Sequence, residues 1–288
     1  MELSGSFLYD ETVHYALKER FMTFGQQPGN NGQYNTSDYN AAQTQYAQGY
    51  TQAAAAPIDA TAAYSYEQAR RVSVTRAYGE MTIGLIVTAA VAVLTQATDG
   101  LTKFLGATGM IGLIALCVVP IVMAVVLGVR IAKMSVTTAR VMFYLYAAIM
   151  GFTLSSIFMV YDLGSIGVAL GITAAFFFAL TMFGMTTKFD MLKAGPILMV
   201  GLIVLIISQL VLMFLNVGAM TQIVCAIGLV LFAGMTIYDA QSTRALFAQY
   251  EAQGSEMIKK ISILCALNLY LDFVNMFLYI LQLLGSKD

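Results

Sequence analysis

The sequence predicts an all-α polytopic membrane protein of seven transmembrane helices, its N-terminus in the cytosol and its C-terminus outside. Three observations predict it. Of 288 residues, 59% are hydrophobic and 11% charged, against roughly 25% charged in a soluble domain, and mean hydropathy is +0.74. From Tyr78 onward the apolar residues fall in blocks of about 20, the length that crosses ~30 Å of hydrocarbon. The basic residues alternate between successive loops.

Residues 1–75 stand apart as a tail. Gln26 to Tyr66 is rich in Gln, Asn, Tyr, Ala, Gly and Thr and poor in Val, Leu and Ile, so it is expected to be disordered. It lacks the layout of a signal peptide. A tail of this kind could dock on a partner or self-associate. Met22 is an alternative start.

The membrane domain, residues 76–288, follows. Its apolar blocks are Tyr78–Ala97, Leu105–Val129, Val141–Tyr161, Ile166–Met185, Ile197–Leu215, Gln222–Asp239 and Ile261–Leu284. Short connectors, such as the one opening at Asp162, imply antiparallel neighbours. Arg70, Arg71 and Arg76 precede the first block. Arg130, Lys133 and Arg140 lie between the second and third, Lys188 and Lys193 between the fourth and fifth, and Arg244, Lys259 and Lys260 between the sixth and seventh. The opposite side holds Lys103 and the C-terminal Lys287. This bias sets the orientation given above. The sixth block is the weakest span, being short and ending in Asp239.

Several chemistries are excluded. A net charge of −1 with few, loop-bound basic residues implies no nucleic-acid partner. Cys117, Cys225 and Cys265 lie in apolar runs without CxxC spacing and read as small buried hydrophobes. The single His14 lies in the tail, so the membrane domain holds no histidine metal site or Ser-His-Asp triad. No cofactor is implied.

The polar residues within the spans carry the functional signal. Asp272 lies inside the seventh apolar run, where a carboxylate costs at least ~2.5 kcal/mol. Asn268, Asp272 and Asn275 (i, i+4, i+7) share one helical face. Such a stripe should face the bundle interior or a wet cavity, which makes the seventh helix central. The two asparagines, with Gln209 and Gln222, read as interhelical hydrogen-bonding residues. Glu80 suits the start of the first helix, Asp162 a tight turn and Asp190 a solvated loop. Gly151, Gly171, Gly184 and Gly234 read as sites of close helix packing.

Asp239 and Asp272 form the candidate site. One reading is structural, with Arg130 or Arg140 supplying a cation. The other is a pair that shares a proton, because two adjacent carboxylates resist double ionisation and titrate as one unit. The spans put Asp239 at the cytosolic end of its helix and Asp272 about eleven residues into the next. That is a depth difference of roughly 15 Å. The pair meets only if the seventh helix begins deeper or the sixth extends past Asp239; a cytosolic helical hairpin over residues 241–260 would shift both ends.

Gly234-Met-Thr-Ile-Tyr-Asp239-Ala-Gln241 and Ala266-Leu-Asn-Leu-Tyr-Leu-Asp272-Phe-Val-Asn275-Met-Phe resemble segments of the Bax inhibitor family, or transmembrane Bax inhibitor motif proteins. The stretches Phe143–Gly151 and Phe183–Asp190 are weaker matches. The resemblance covers residue 70 to the end and not the tail. It implies a bacterial member with seven helices, the last central and wrapped by the other six. It implies a pH-dependent calcium leak whose sensing aspartates map onto Asp239 and Asp272. It also implies a closing arginine at the cytosolic end of the second helix, which maps onto Arg130.

Three functions follow as expectations. In the first, a calcium leak channel, Asp239 and Asp272 share a proton and bind calcium weakly and transiently. Asn268 and Asn275 line the path or bridge helices. Arg130 closes the cytosolic mouth on Asp239. Calcium suits oxygen ligands, and a leak requires weak sites. Carboxylate repulsion and arginine pairing act oppositely on the pH direction. The second is a non-transporting regulator of stress response, membrane proteolysis or cell death, acting through a membrane-protein partner. The third, an aspartyl intramembrane protease, lacks a Gly-x-Gly-Asp segment, so no enzymatic activity is expected. The lipid bilayer, calcium and protons are the expected partners. The expected location is a bacterial plasma membrane, with an internal eukaryotic membrane such as the endoplasmic reticulum as the alternative.

Overall fold

A computed structural model describes residues 60–215, 218–250 and 253–285. The tail assigned to residues 1–75 lies outside the described residues up to position 59. From Ala60 the chain is already helical, in keeping with the alanine-rich sequence there.

Seven α-helices follow: α1 (Ala60–Ala97), α2 (Gly100–Arg130), α3 (Val136–Leu154), α4 (Leu163–Thr186), α5 (Gly195–Leu215), α6 (Gly218–Tyr250) and α7 (Ser255–Leu284). All seven are long and apolar enough to cross a membrane, and no strand occurs among the described residues. Asp99 reverses the chain between α1 and α2 with a positive φ of 52°. Inside α2, Gly109 breaks the helix at φ 59°, a conformation that glycine adopts without a Cβ penalty. Ser135 caps α3 by accepting from the Thr138 amide, and Asp162 caps α4 by accepting from Ser165.

The expected central helix is α7. Its apolar window is 72% buried, whereas no other span exceeds 33%. Ile263, Ala266, Leu269, Tyr270 and Met276 are fully enclosed. Tyr270 packs edge-on against Phe143 and Tyr146 of α3, and its hydroxyl meets Thr88 Oγ1 of α1 at 2.7 Å. The outer helices turn large apolar side chains outward instead, among them Ile111, Val129, Ile197 and Val230. This is the arrangement required by a bilayer, where the surrounding solvent is itself apolar.

Glycines separate by environment. A Cβ at Gly151 would collide with the Thr88 backbone, so α1 and α3 touch there through main chain. At Gly184 a Cβ would lie 3.0 Å from Ile237 O, and at Gly234 it would lie 3.2 Å from Leu198 Cδ2. Gly171 differs from the packing role expected of it. It is exposed, and nothing lies within 4 Å of its would-be Cβ.

Candidate functional site

The α6–α7 hairpin builds the site. α6 does not stop at Asp239 but continues to Tyr250, roughly 16 Å further. α7 begins at Ser255 rather than Ile261. The extension holds because Ala240, Thr243 and Phe247 form a buried stripe at helical spacing, while Gln249 on the other face is exposed. Glu256 and Lys260 pair at 3.2 Å on the first turns of α7.

The longer helices run antiparallel in a steady register. The Cys265 thiol lies beside Thr243, Thr236 Oγ1 lies 3.3 Å from Met276 Sδ, and the Phe232 and Tyr279 rings are centred 5.8 Å apart. Cys225 Sγ donates to Gln282 Oε1 at 2.9 Å near the far end. Between the first two of these contacts, Asp239 and Asp272 face each other within hydrogen-bonding reach. The depth difference implied by the shorter spans is therefore absent.

Both carboxyls are buried, Asp239 at 6% exposure and Asp272 at 1%. Neither enters an ion pair among the described residues. An ionised carboxylate offers acceptors only, so two facing carboxyls bond to each other only with a proton between them. The geometry suits one shared proton, held where an isolated charge would be costly.

Apolar layers bound the pair on both sides. Toward the α6–α7 turn lie Val74, Ala77, Phe247 and Ile261, with Leu246 and Ile258 packed on them. On the other side lie Phe232, Phe273, Met276 and Tyr279.

The remaining expected residues fall at varied distances from this centre. Arg130 is exposed at the end of α2, and no ion pair joins it to Asp239. Arg140 instead binds Glu80, Nη2 to Oε1 at 2.6 Å, and Tyr144 Oη donates to the other carboxylate oxygen at 2.5 Å. Glu80 therefore links α1 to α3, a role stronger than the helix-end placement expected of it. Asn268 and Asn275 are half-buried. Asn275 Nδ2 donates to Leu271 O within its own helix at 2.8 Å, so it is not bridging helices here. Gln209 bonds to Tyr279, whereas Gln222 is exposed. Asp190 accepts from the Leu192 amide and pairs with Lys193 at 3.4 Å. Cys117 is exposed on α2, against the expectation of burial, while Cys225 and Cys265 are buried.

Three neighbours of the pair carry no obvious sequence signal. Tyr78 of α1 interacts with Asp239, Cys265 and Asp272 and sits against Thr181 of α4. Cys265 interacts with Asp239 as well as Thr243. Tyr78 stands at the start of an apolar block, Thr181 in the middle of one, and Cys265 reads as a hydrophobe. Only hydroxyls and a thiol at the depth of an aspartate could have marked them.

The family model described as inhibitor of apoptosis-promoting Bax1 matches residues 70–288. The inner membrane protein YbhL of Escherichia coli K12 is 37% identical over 210 residues, covering 73% of this chain and 89% of the relative. An uncharacterized protein of Borreliella burgdorferi is 34% identical over 212 residues, covering 74% and 90%. Protein RP147 of Rickettsia prowazekii, also uncharacterized, is 30% identical over 223 residues, covering 77% and 93%. Seven long apolar helices, the last of them buried among the other six, and a family match spanning all of them, make this chain a multi-pass membrane protein of the Bax inhibitor family.

Proposed function

We propose that the protein is a pH-sensitive calcium leak channel of the bacterial plasma membrane, gated by a proton shared between Asp239 and Asp272. The location is the one carried in the name of the Escherichia coli relative. The observation that carries the reading is the juxtaposition of two buried carboxyls on α6 and α7, with no cation paired to either among the described residues. A shared proton ties the two helices. Its loss leaves like charges facing each other in a medium of low dielectric, where repulsion is strong. The equilibrium between closed and open packings then depends on pH.

Calcium fits the donor set as a passing ion. It takes carboxylate and amide oxygens, and Asp239, Asp272 and the half-buried Asn268 and Asn275 offer these along the central helix. Asp239 and Asp272 would bind it weakly and transiently, as a leak requires. The apolar layers serve as barriers to a hydrated ion while the helices stay tied. Arg130, exposed here, would close on Asp239 in another state of the equilibrium. No catalytic step is assigned to the pair.

The test is calcium flux into vesicles containing only the purified protein, measured across pH. Flux that varies with pH is expected. Absence of flux at every pH would overturn the reading and favour a regulator that acts by binding another membrane protein.

A further inference from the structure

Among the described residues, three buried side-chain oxygens have no hydrogen-bond partner of good geometry: Tyr78 Oη, Thr181 Oγ1 and Asp272 Oδ2. Orphaned buried polar atoms are rare in folded proteins and cost about 1–3 kcal/mol each when left unsatisfied. These three are not scattered. Tyr78 packs on the cluster that holds Cys265, with Thr181 beside it and the Asp239 and Asp272 carboxyls within electrostatic range. Two uncommitted hydroxyls from α1 and α4 thus stand in the same buried neighbourhood as the uncommitted oxygen of the aspartate pair.

The chemistry is complementary. A hydroxyl offers one donor and two acceptors, whereas an ionised carboxylate offers acceptors only. While the pair shares a proton, Asp239 and Asp272 satisfy one oxygen each by facing one another. Asp272 Oδ2 then still lacks a donor. We propose that Tyr78 is a positioning residue of the proton switch: its hydroxyl, unbonded in this structure, turns to donate to Asp272 Oδ2 when the pair loses its proton, with Thr181 beside it on α4. Through this link α1 and α4 sense the charge on the α6–α7 pair. The inference rests on the proton-sharing pair of the proposed function and adds to it the donor that stabilises its anionic form.

The surroundings leave this role to Tyr78. The titratable groups facing it are Asp239 from α6 and Cys265 and Asp272 from α7; α4 contributes the Thr181 hydroxyl. Glu80, two residues along α1, is committed to Arg140 and Tyr144. Arg244 of α6 is committed to Met185 O at 2.6 Å. The Cys265 thiol lies beside Thr243 and is a weak donor. Burial in the apolar cluster of Ala77, Phe247 and Ile261 holds the Tyr78 ring in place.

A donor to the charged form favours that form, so removing it should make the pair hold its proton to higher pH. Tyr78→Phe deletes one oxygen and keeps the ring. The test follows the protonated-carboxyl stretch by infrared titration of the full chain in nanodiscs, assigned by its loss in Asp239→Asn and Asp272→Asn. The step that removes the shared proton is expected to move up by about half to one pH unit in Tyr78→Phe, a three- to tenfold change in proton affinity. Thr181→Val should move it in the same direction by less. Tyr144→Phe, whose hydroxyl serves Glu80, should leave it in place.

An unmoved infrared midpoint in Tyr78→Phe would overturn the proposal, because a merely structural tyrosine would change stability and not titration. If Tyr78→Phe does not fold, Thr181→Val carries the test, and an unmoved midpoint there overturns it equally. The infrared readout needs no calcium. A wild-type protein that titrates without leaking would sink the leak reading and leave this inference standing.

Discussion

Asp239 of α6 faces Asp272 of α7 at a single depth in the bundle, although the two apolar runs that contain them end at different levels. The polar extension of α6 to Tyr250 and the early start of α7 at Ser255 bring them level. The two carboxyls lie on the facing sides of α6 and α7, so a change in their charge bears directly on how these helices pack.

The register of that hairpin depends on Met276, fully buried against Thr236. Met276→Ala should destabilise the protein by about 2–5 kcal/mol through the cavity it leaves. Unfolding in mixed micelles would read the loss. A change within ~0.5 kcal/mol would mean that α6 and α7 are not held by this contact.

Two glycines should behave oppositely. Gly151→Ala pushes a methyl into the Thr88 backbone, and overpacking of this kind costs about 1–3 kcal/mol. Gly171→Ala meets nothing within 4 Å and should be neutral or stabilising by up to ~1 kcal/mol, the difference in helix propensity. The same unfolding assay separates them.

The Glu80–Arg140 pair joins α1 to α3, with Glu80 buried and Arg140 half-exposed. Arg140→Leu leaves Glu80 with Tyr144 alone. The expected loss is about 1–3 kcal/mol, below that of a fully buried pair because water reaches the arginine. Lys193→Ala breaks an exposed pair with Asp190 and should change stability by less than ~1 kcal/mol.

Asp162 gives a pH dependence away from the central pair. It lies between spans, and hydrogen bonds from the Ser165 side chain and then its backbone hold its carboxyl below the ordinary carboxylate range. A lowered folded value means that the cap contributes fully above the ordinary range and is lost as pH falls through the lowered value. Amide exchange in the first turn of α4 should therefore rise in acid. Asp162→Asn, which keeps an acceptor without a charge, should flatten that rise.

Seven spans and the central last helix were legible because a bilayer imposes length and apolarity on each segment, and because Asn268, Asp272 and Asn275 mark one face of α7. The ends of α6 and α7 were not. Hydropathy stops at Asp239, whereas the helix continues on the stripe of Ala240, Thr243 and Phe247, a signal of period rather than of composition. The pairing of Asp239 with Asp272 was legible as chemistry but not as geometry until those ends were placed. Tyr78, Thr181 and Cys265 gave no warning, since each is ordinary in an apolar run and acquires meaning only from what it faces. Arg130 shows the reverse. The family resemblance implied a latch there, and the packing leaves it at the surface.

The central claim is that Asp239 and Asp272 act as one proton-binding unit that sets the leak. Calcium flux in proteoliposomes across pH should vary for the wild type, and Asp239→Asn and Asp272→Asn should each abolish that variation. The double variant should add nothing to either single, because both remove the same coupled unit. Wild-type pH dependence retained in both single variants would contradict the account.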